Sequence, residues 1–211
     1  MATPASSGPE SDASTRDRIL DIALETFAEL GFDGASTRTI ATRASVNQGL
    51  ITYYFGSKDA LWREAVDRAF EGLNAAVGRA TIEAESLSSA RERFELIIRR
   101  YVRFVAAHPE FVLLMNEEGK RTGPRMRWIV DRHVKPIYGA MIELLNEPEM
   151  RARMPAQIDP VHYHYMFLGA VGAFFTQAPE CRRVSGTDPY DPKQVEAHAD
   201  AIVHLFLGAQ A

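Results

Sequence analysis

Apolar residues recur every three or four positions along almost the whole chain after Ser14, and runs that alternate in twos are nearly absent. That period draws one apolar stripe down an α-helix and argues against a sheet protein. In "TRDRILDIALETFAELGF" it puts Ile19, Ile22, Ala23, Phe27 and Leu30 on one face, with Ser14 or Thr15 as cap and Gly31 as stop. Downstream punctuation agrees. Asp159–Pro160 and Asp191–Pro192 each join a capping side chain to a proline at the first helical position, where no N–H is needed. Ser57 and Asp59 open another helix, and Pro109 ends the fifth. Pro136 falls inside the long pattern "GPRMRWIVDRHVKPIYGAMIELLNE", where it is expected to kink the helix or remove one backbone hydrogen bond. The reading is an all-α chain of about nine helices.

A chain of 211 residues is long enough to bury a real core as one domain or two small ones. No window approaches the roughly 20 apolar residues of a membrane span, so no membrane partner is expected. The single cysteine, Cys181, lies in the loop-like "APECRRVSG"; it excludes a disulfide framework and fits a reducing compartment. Residues 1–14, "MATPASSGPESDAS", carry no apolar signal core and read as a disordered tail. Three short helices then give way to longer ones. This places a boundary near Trp62, between a unit at 15–62 and another at 63–211, with the fourth helix running through it and coupling the two.

Charge is distributed unevenly. The chain holds 28 acidic residues against 24 Lys and Arg, yet Gly34 to Lys58 contains no Asp or Glu. Its formal charges are Arg38, Arg43 and Lys58 alone. The segment reads as two short helices around "ASVN", with Ala41 small enough for close approach and Val46 and Ile51 filling the core beneath. This is a helix-turn-helix pattern. A surface pressed against phosphates cannot keep carboxylates, whereas Thr, Asn, Gln and Tyr supply neutral hydrogen bonds. Tyr53 and Tyr54 are adjacent and cannot both enter one small core; Phe55 reads as core. On charge and periodicity alone, a DNA face and a protein-contact face both stay open.

The run "TRDRILDIALETFAELGFDGASTRTIATRASVNQGLITYYFGSKDALWREAV" closely resembles the N-terminal domain of TetR-type transcriptional regulators. The resemblance covers about residues 15–66. It implies a homodimer, a pseudo-palindromic double-stranded DNA operator, and a C-terminal helical ligand-binding and dimerisation domain. It further implies repression relieved by an unidentified small-molecule effector, in the bacterial cytoplasm at the nucleoid. Position by position, Arg38, Gln48, Gly49, Leu50 and Thr52 match base-facing positions. Thr37, Asn47, Tyr53, Tyr54 and Lys58 match phosphate-facing ones, and Asn47 also stands where it can meet a base. Two positions depart from the pattern. Thr52 stands where the family commonly has Tyr, so the operator code does not transfer. Ser45 stands where Gly is frequent, at a cost of about 1 kcal/mol if the turn needs positive φ.

Residues 67–211 carry no catalytic signature, and no enzyme activity or cofactor is expected. The histidines are His108, His133, His162, His164, His198 and His204; the pair at 162 and 164 faces two sides of a helix, so no metal site is expected. A helical-bundle enzyme or carrier, and a DNA-independent interaction module, stand as alternatives. The resemblance implies an effector pocket between the fourth and eighth helices. Its candidate walls are Phe70, Tyr101, Phe104 and Met115, then Trp128, Tyr138, Met141 and Met166, each of which reads equally as plain core. The last two helices are the implied dimer contact, through Tyr165, Gly169 and Gly172 and through Val195, Ala199, Ile202 and Phe206; ordinary monomer core fits that spacing too. "KRTGPRMRWIVDRHVK" is basic, and reads as a solvated helix face ahead of an anion site.

Overall fold

The backbone breaks helical geometry at Gly31, with φ 67° and ψ 169°, and only a residue without a side chain adopts that conformation cheaply. The computed structural model describes residues 9–84, 87, 89–153 and 158–208. The Gly31 break lies within α1 (Pro9–Gly34), so the expected stop is present, followed by one further turn. The helix begins at Pro9 rather than at a Ser14 or Thr15 cap, because a proline is pre-set for the first position. Of the expected tail, 1–8 lies outside the described residues and 9–14 is helical. Leu30, expected inside, is 40% exposed; Leu20 and Leu24 complete the buried face with Ile19, Ala23 and Phe27.

Then follow α2 (Thr37–Arg43), α3 (Gln48–Phe55), α4 (Lys58–Ala84), α5 (Ala90–Ala107) and α6 (Pro109–Gly119). Helix α7 is built of Pro124–Ile129, a π-helical turn at Val130–Val134, and Lys135–Leu145. The chain closes with α8 (Pro148–Arg153), α9 (Pro160–Thr176), α10 (Ala178–Ser185) and α11 (Pro192–Leu207). The described residues thus hold 11 helices and no strand, against about nine expected. The two additions are short. Cys181 belongs to α10, not to a loop: Pro179 sits in its first turn and Gly186, at φ 72°, caps its end.

Pro136 explains the π turn. It lacks the N–H that would bond to Arg132, and just upstream the Lys135 N–H reaches back to the Val130 carbonyl, five residues away. The helix therefore widens instead of breaking.

One core runs through the described chain. Phe27, Ile40, Ile51, Leu61 and Trp62 are essentially inaccessible, and so are Ile98, Leu114, Ile129 and Phe175. Helix α4 is continuous across the expected boundary at Trp62. Helix α1 packs on both α4 and α6, so the first three helices are seated on the rest. Helix α11 packs along α5, and α9 lies against α5, α6 and α11. At Gly172 the approach of α9 to α6 is so close that an added Cβ would come within 3.0 Å of Val112 Cγ1.

Candidate nucleic-acid interface

Three side-chain caps fix the α2–α3–α4 geometry. The Ser36 hydroxyl accepts the Thr39 N–H at 3.0 Å and starts α2. Asn47 Oδ1 accepts the Gly49 N–H at 2.8 Å and starts α3. Ser57 Oγ accepts the Ala60 N–H at 3.1 Å at the head of α4. Between α2 and α3 the turn is closed by Ser45 N–H to Thr42 O and Val46 N–H to Ala41 O. Ala41 and Ala44 are 2% exposed, and Ile51 and Phe55 fill the space below. Ser45 is at φ 54°, the only non-glycine residue with positive φ among those described.

This framework leaves one side of α3 in solvent. Gln48, Gly49, Thr52 and Tyr53 are exposed, with Tyr53 at 78%. Gly49, Thr52 and Tyr53 are spaced to share a helix face. Arg38 on α2 is exposed, and its guanidinium has no partner among the described residues. Gln48 Nε2 donates to Thr37 Oγ1 at 3.2 Å and joins the starts of the two helices. Leu50 is half-buried and the least available of the base-facing set. Asn47 is exposed with its side-chain oxygen occupied in capping, and at Gly49 an added Cβ would lie 3.1 Å from that oxygen. Tyr54 and Lys58 are half-buried at the edge of the face, and the Tyr53 and Tyr54 rings meet edge to face at 5.2 Å.

The acid-free segment is not free of acids in space. Arg43 Nη1 donates to Glu29 Oε2 of α1 at 2.6 Å, which lowers the Glu29 pKa and raises that of Arg43. Arg43 is therefore held on α1, and Arg38 and Lys58 remain as the cations of the face. Lys58 Nζ rests 4.4 Å from the centre of the Phe32 ring.

The residues expected to wall an effector pocket fall into separate groups. Phe70 stacks on His133 at 4.3 Å and meets Phe111 edge-on, while Trp128 leans on Trp62 at 5.6 Å. Phe104 also packs on Phe111, and Met115 is half-buried. Tyr101 packs on Phe167, and burial raises its phenol pKa well above the usual value. Tyr138 and Met141 meet at His164, whose Nδ1 lies 3.4 Å from Met141 Sδ. His164 is buried, and desolvation lowers its pKa; nothing in its spacing distinguished it from the other histidines. Met166 is corrected: it is 47% exposed, because Tyr163 and Phe167 take the inward face of α9. A cavity of about 640 Å³ opens elsewhere, between α1, α4, α5 and α6; of the expected walls it includes only Phe104.

The expected dimer residues also divide. Tyr165, at 67%, and Gly169 are exposed on α9. Gly172, Ala199 and Ile202 are buried within the protomer, and Phe206 packs on Tyr163 and Phe167. Val195 is half-buried against the same core. Of the α11 residues expected to meet a second chain, Ala199 and Ile202 are covered within the protomer, while Val195 and Phe206 keep part of their surface open. Between α6 and α7, and along α7, the basic residues are paired: Arg121 with Asp33 and Glu117, Arg125 with Glu118, Arg132 with Asp67, Lys120 with Glu117 and Lys135 with Asp131. Arg127 donates to the Thr122 carbonyl. Among the described residues no group of three His, Cys, Asp or Glu is placed to hold a metal, and no helix is long and apolar enough to cross a membrane.

Two family models match the sequence. Residues 19–65 match the bacterial regulatory proteins of the tetR family, and residues 91–205 match a tetracyclin repressor-like C-terminal domain. The HTH-type transcriptional repressor NicS of Pseudomonas putida is 34% identical over 114 residues, 54% of this chain and 52% of that protein. The HTH-type transcriptional regulator BetI 1 of Chromohalobacter salexigens is 36% identical over 83 residues, 39% of this chain and 40% of that protein. The matches thus span about half or less of these relatives' lengths. Among solved structures, AibR in complex with isovaleryl coenzyme A and operator DNA superposes with a TM-score of 0.72 at 17% identity, over 93% of this chain and 100% of that one. FadR of Bacillus subtilis in complex with stearoyl-CoA gives 0.64 at 18% identity, over 92% and 99%. At these identities the superpositions show the fold.

Proposed function

This chain belongs to the TetR family of bacterial regulatory proteins, and from that premise we propose that it is a sequence-specific DNA-binding repressor, acting as a homodimer and released from its operator by a small molecule. The observation that carries the reading is the exposed side of α3. It offers Gln48, Thr52 and Tyr53 on a helix start whose own cap is satisfied, beside the unpaired Arg38, with no carboxylate in the segment. Gln48 and Thr52 meet base edges in the major groove, with Arg38 reaching a base from α2; Thr37, Tyr53, Tyr54 and Lys58 meet phosphate.

The dimer forms through the exposed side of α9 and the end of α11. Tyr165, Met166 and Leu205, at 67%, 47% and 70% exposure, supply apolar contact there, and Gly169 allows close approach. The effector is a molecule with an apolar portion held within the helices of the second domain. Two fold relatives hold acyl-coenzyme A thioesters, so these lead the ligand panel.

Selection of duplexes from a random pool at two salt concentrations tests the reading. An inverted repeat is expected, its half-sites one helical turn or more apart, at about 34–36 Å per turn. Sequence-blind binding alone would remove the base-reading role. Adding acyl thioesters to the selected complex then tests release.

A further inference from the structure

We propose that Arg125, at the start of α7, is a positioning residue for the phosphate contact Lys58, acting through the ring of Phe32. The inference rests on the DNA-binding reading above and names a control built into it. Phe32 follows the Gly31 break, stacks on Phe27 at 5.8 Å and meets Trp62 edge-on at 6.2 Å. Two cations lie over this one ring: Arg125 Cζ at 4.0 Å from its centre and Lys58 Nζ at 4.4 Å. Each is attracted by the ring's π electrons, so one ring joins the two cations.

The two cations are held differently. Arg125 is fixed: its Nε donates to both oxygens of Glu118, at 3.1 and 3.3 Å, and that carboxylate's side chain is only 3% exposed. Its guanidinium also lies 5.8 Å from the Trp62 ring. Lys58, by contrast, is the first residue of α4, on a flexible four-carbon stem. Arg125 holds the ring, and the ring holds the Lys58 ammonium at the edge of the recognition face. A side chain ordered before binding loses less entropy when it meets phosphate. Displacing the start of α7 would free the ring and then Lys58, weakening the grip on DNA while leaving α3 unchanged.

The test uses the full chain and a random-sequence duplex, with affinity read at two salt concentrations. Arg125→Met alone would strand the buried Glu118 carboxylate, so the working variant is Glu118→Gln with Arg125→Met. It is expected to weaken binding about two- to fivefold, the size of one cation–π contact. Lys58→Met is expected to weaken binding more, and adding the pair of changes to Lys58→Met is expected to cost nothing further. An equal loss in the Lys58→Met background would mean a merely structural role and overturn the proposal; so would no loss at all. Phe32→Leu keeps an apolar side chain and removes the π face, and must show the same dependence on Lys58 should the Glu118 and Arg125 changes unfold the chain. Failure of the unaltered protein to bind any duplex would overturn the DNA-binding reading and this coupling together. Binding without coupling overturns the coupling alone.

Discussion

The helix-turn-helix unit and the helices behind it solve opposite electrostatic problems. From Gly34 to Lys58 the chain excludes acids, ties Arg43 back to α1, and presents neutral hydrogen-bonding side chains. From α5 onward it does the reverse. Arg99 joins Glu95 to Asp200, Arg103 takes both oxygens of Glu196, and Arg132 and His133 converge on Asp67. A surface that meets a uniform polyanion has its chemistry dictated from outside. A bundle that meets itself can close any charge locally. The first leaves a pattern in the sequence, and the second leaves pairs of residues far apart in it.

The comparison breaks most sharply where the two regions share a residue. Trp62 is inaccessible and touches both Phe32 of the head and Trp128 of α7. Trp62→Ala should cost about 3–5 kcal/mol, read in a chemical melt, and should lower one common transition. Two separated transitions would show that the head folds independently. On the DNA side, Lys58→Ala should weaken all duplex binding and reduce the salt slope by about one per head, whereas Gln48→Ala should shift base preference at one position in a repeated selection. Unchanged preference would remove Gln48 from the base-reading set. Asn47→Ala should cost about 1 kcal/mol through loss of the α3 cap, seen as a lowered melting midpoint.

Acid should weaken the second region. Burial lowers the pKa of His164, and likewise of His133 and His198. Each is thus more readily protonated unfolded than folded. Their contribution is complete above the ordinary histidine pKa of about 6.5 and is lost as pH falls through the lowered folded value. Thermal melts taken between neutral pH and pH 5 should show that fall, and His164→Gln should flatten part of it. The smallest effect belongs to the turn. Ser45→Gly should stabilise by about 0.5–1 kcal/mol, since serine at φ 54° is strained and glycine is not.

How much of this was legible in the sequence follows from the same contrast. Helix starts marked by Asp-Pro, the Gly31 break and the α2–α3 turn are local events, and local chemistry announces them. Arg43 meeting Glu29 was invisible because the partner lies outside the acid-free segment. Ala199 and Ile202 were expected at a dimer contact, since a stripe at three-to-four spacing has the same form whether it meets α5 or a second chain. Phe32 and Arg125 each lie in a run the sequence marks, "AELGF" and "KRTGPRMRWIVDRHVK", but the two are far apart in sequence and only the packing of α7 onto the head brings them together.

The π turn of α7 has a consequence for how this helix tolerates change. Five residues, Val130 to Val134, close a turn that an α-helix closes with fewer. The turn is therefore equivalent to one surplus residue spliced into a regular helix. Shortening the chain by a single residue there should leave Trp128 against Trp62 and Tyr138 against His164, each on its own side of the splice. The same deletion in the uninterrupted α4 would turn every residue beyond it by about 100°.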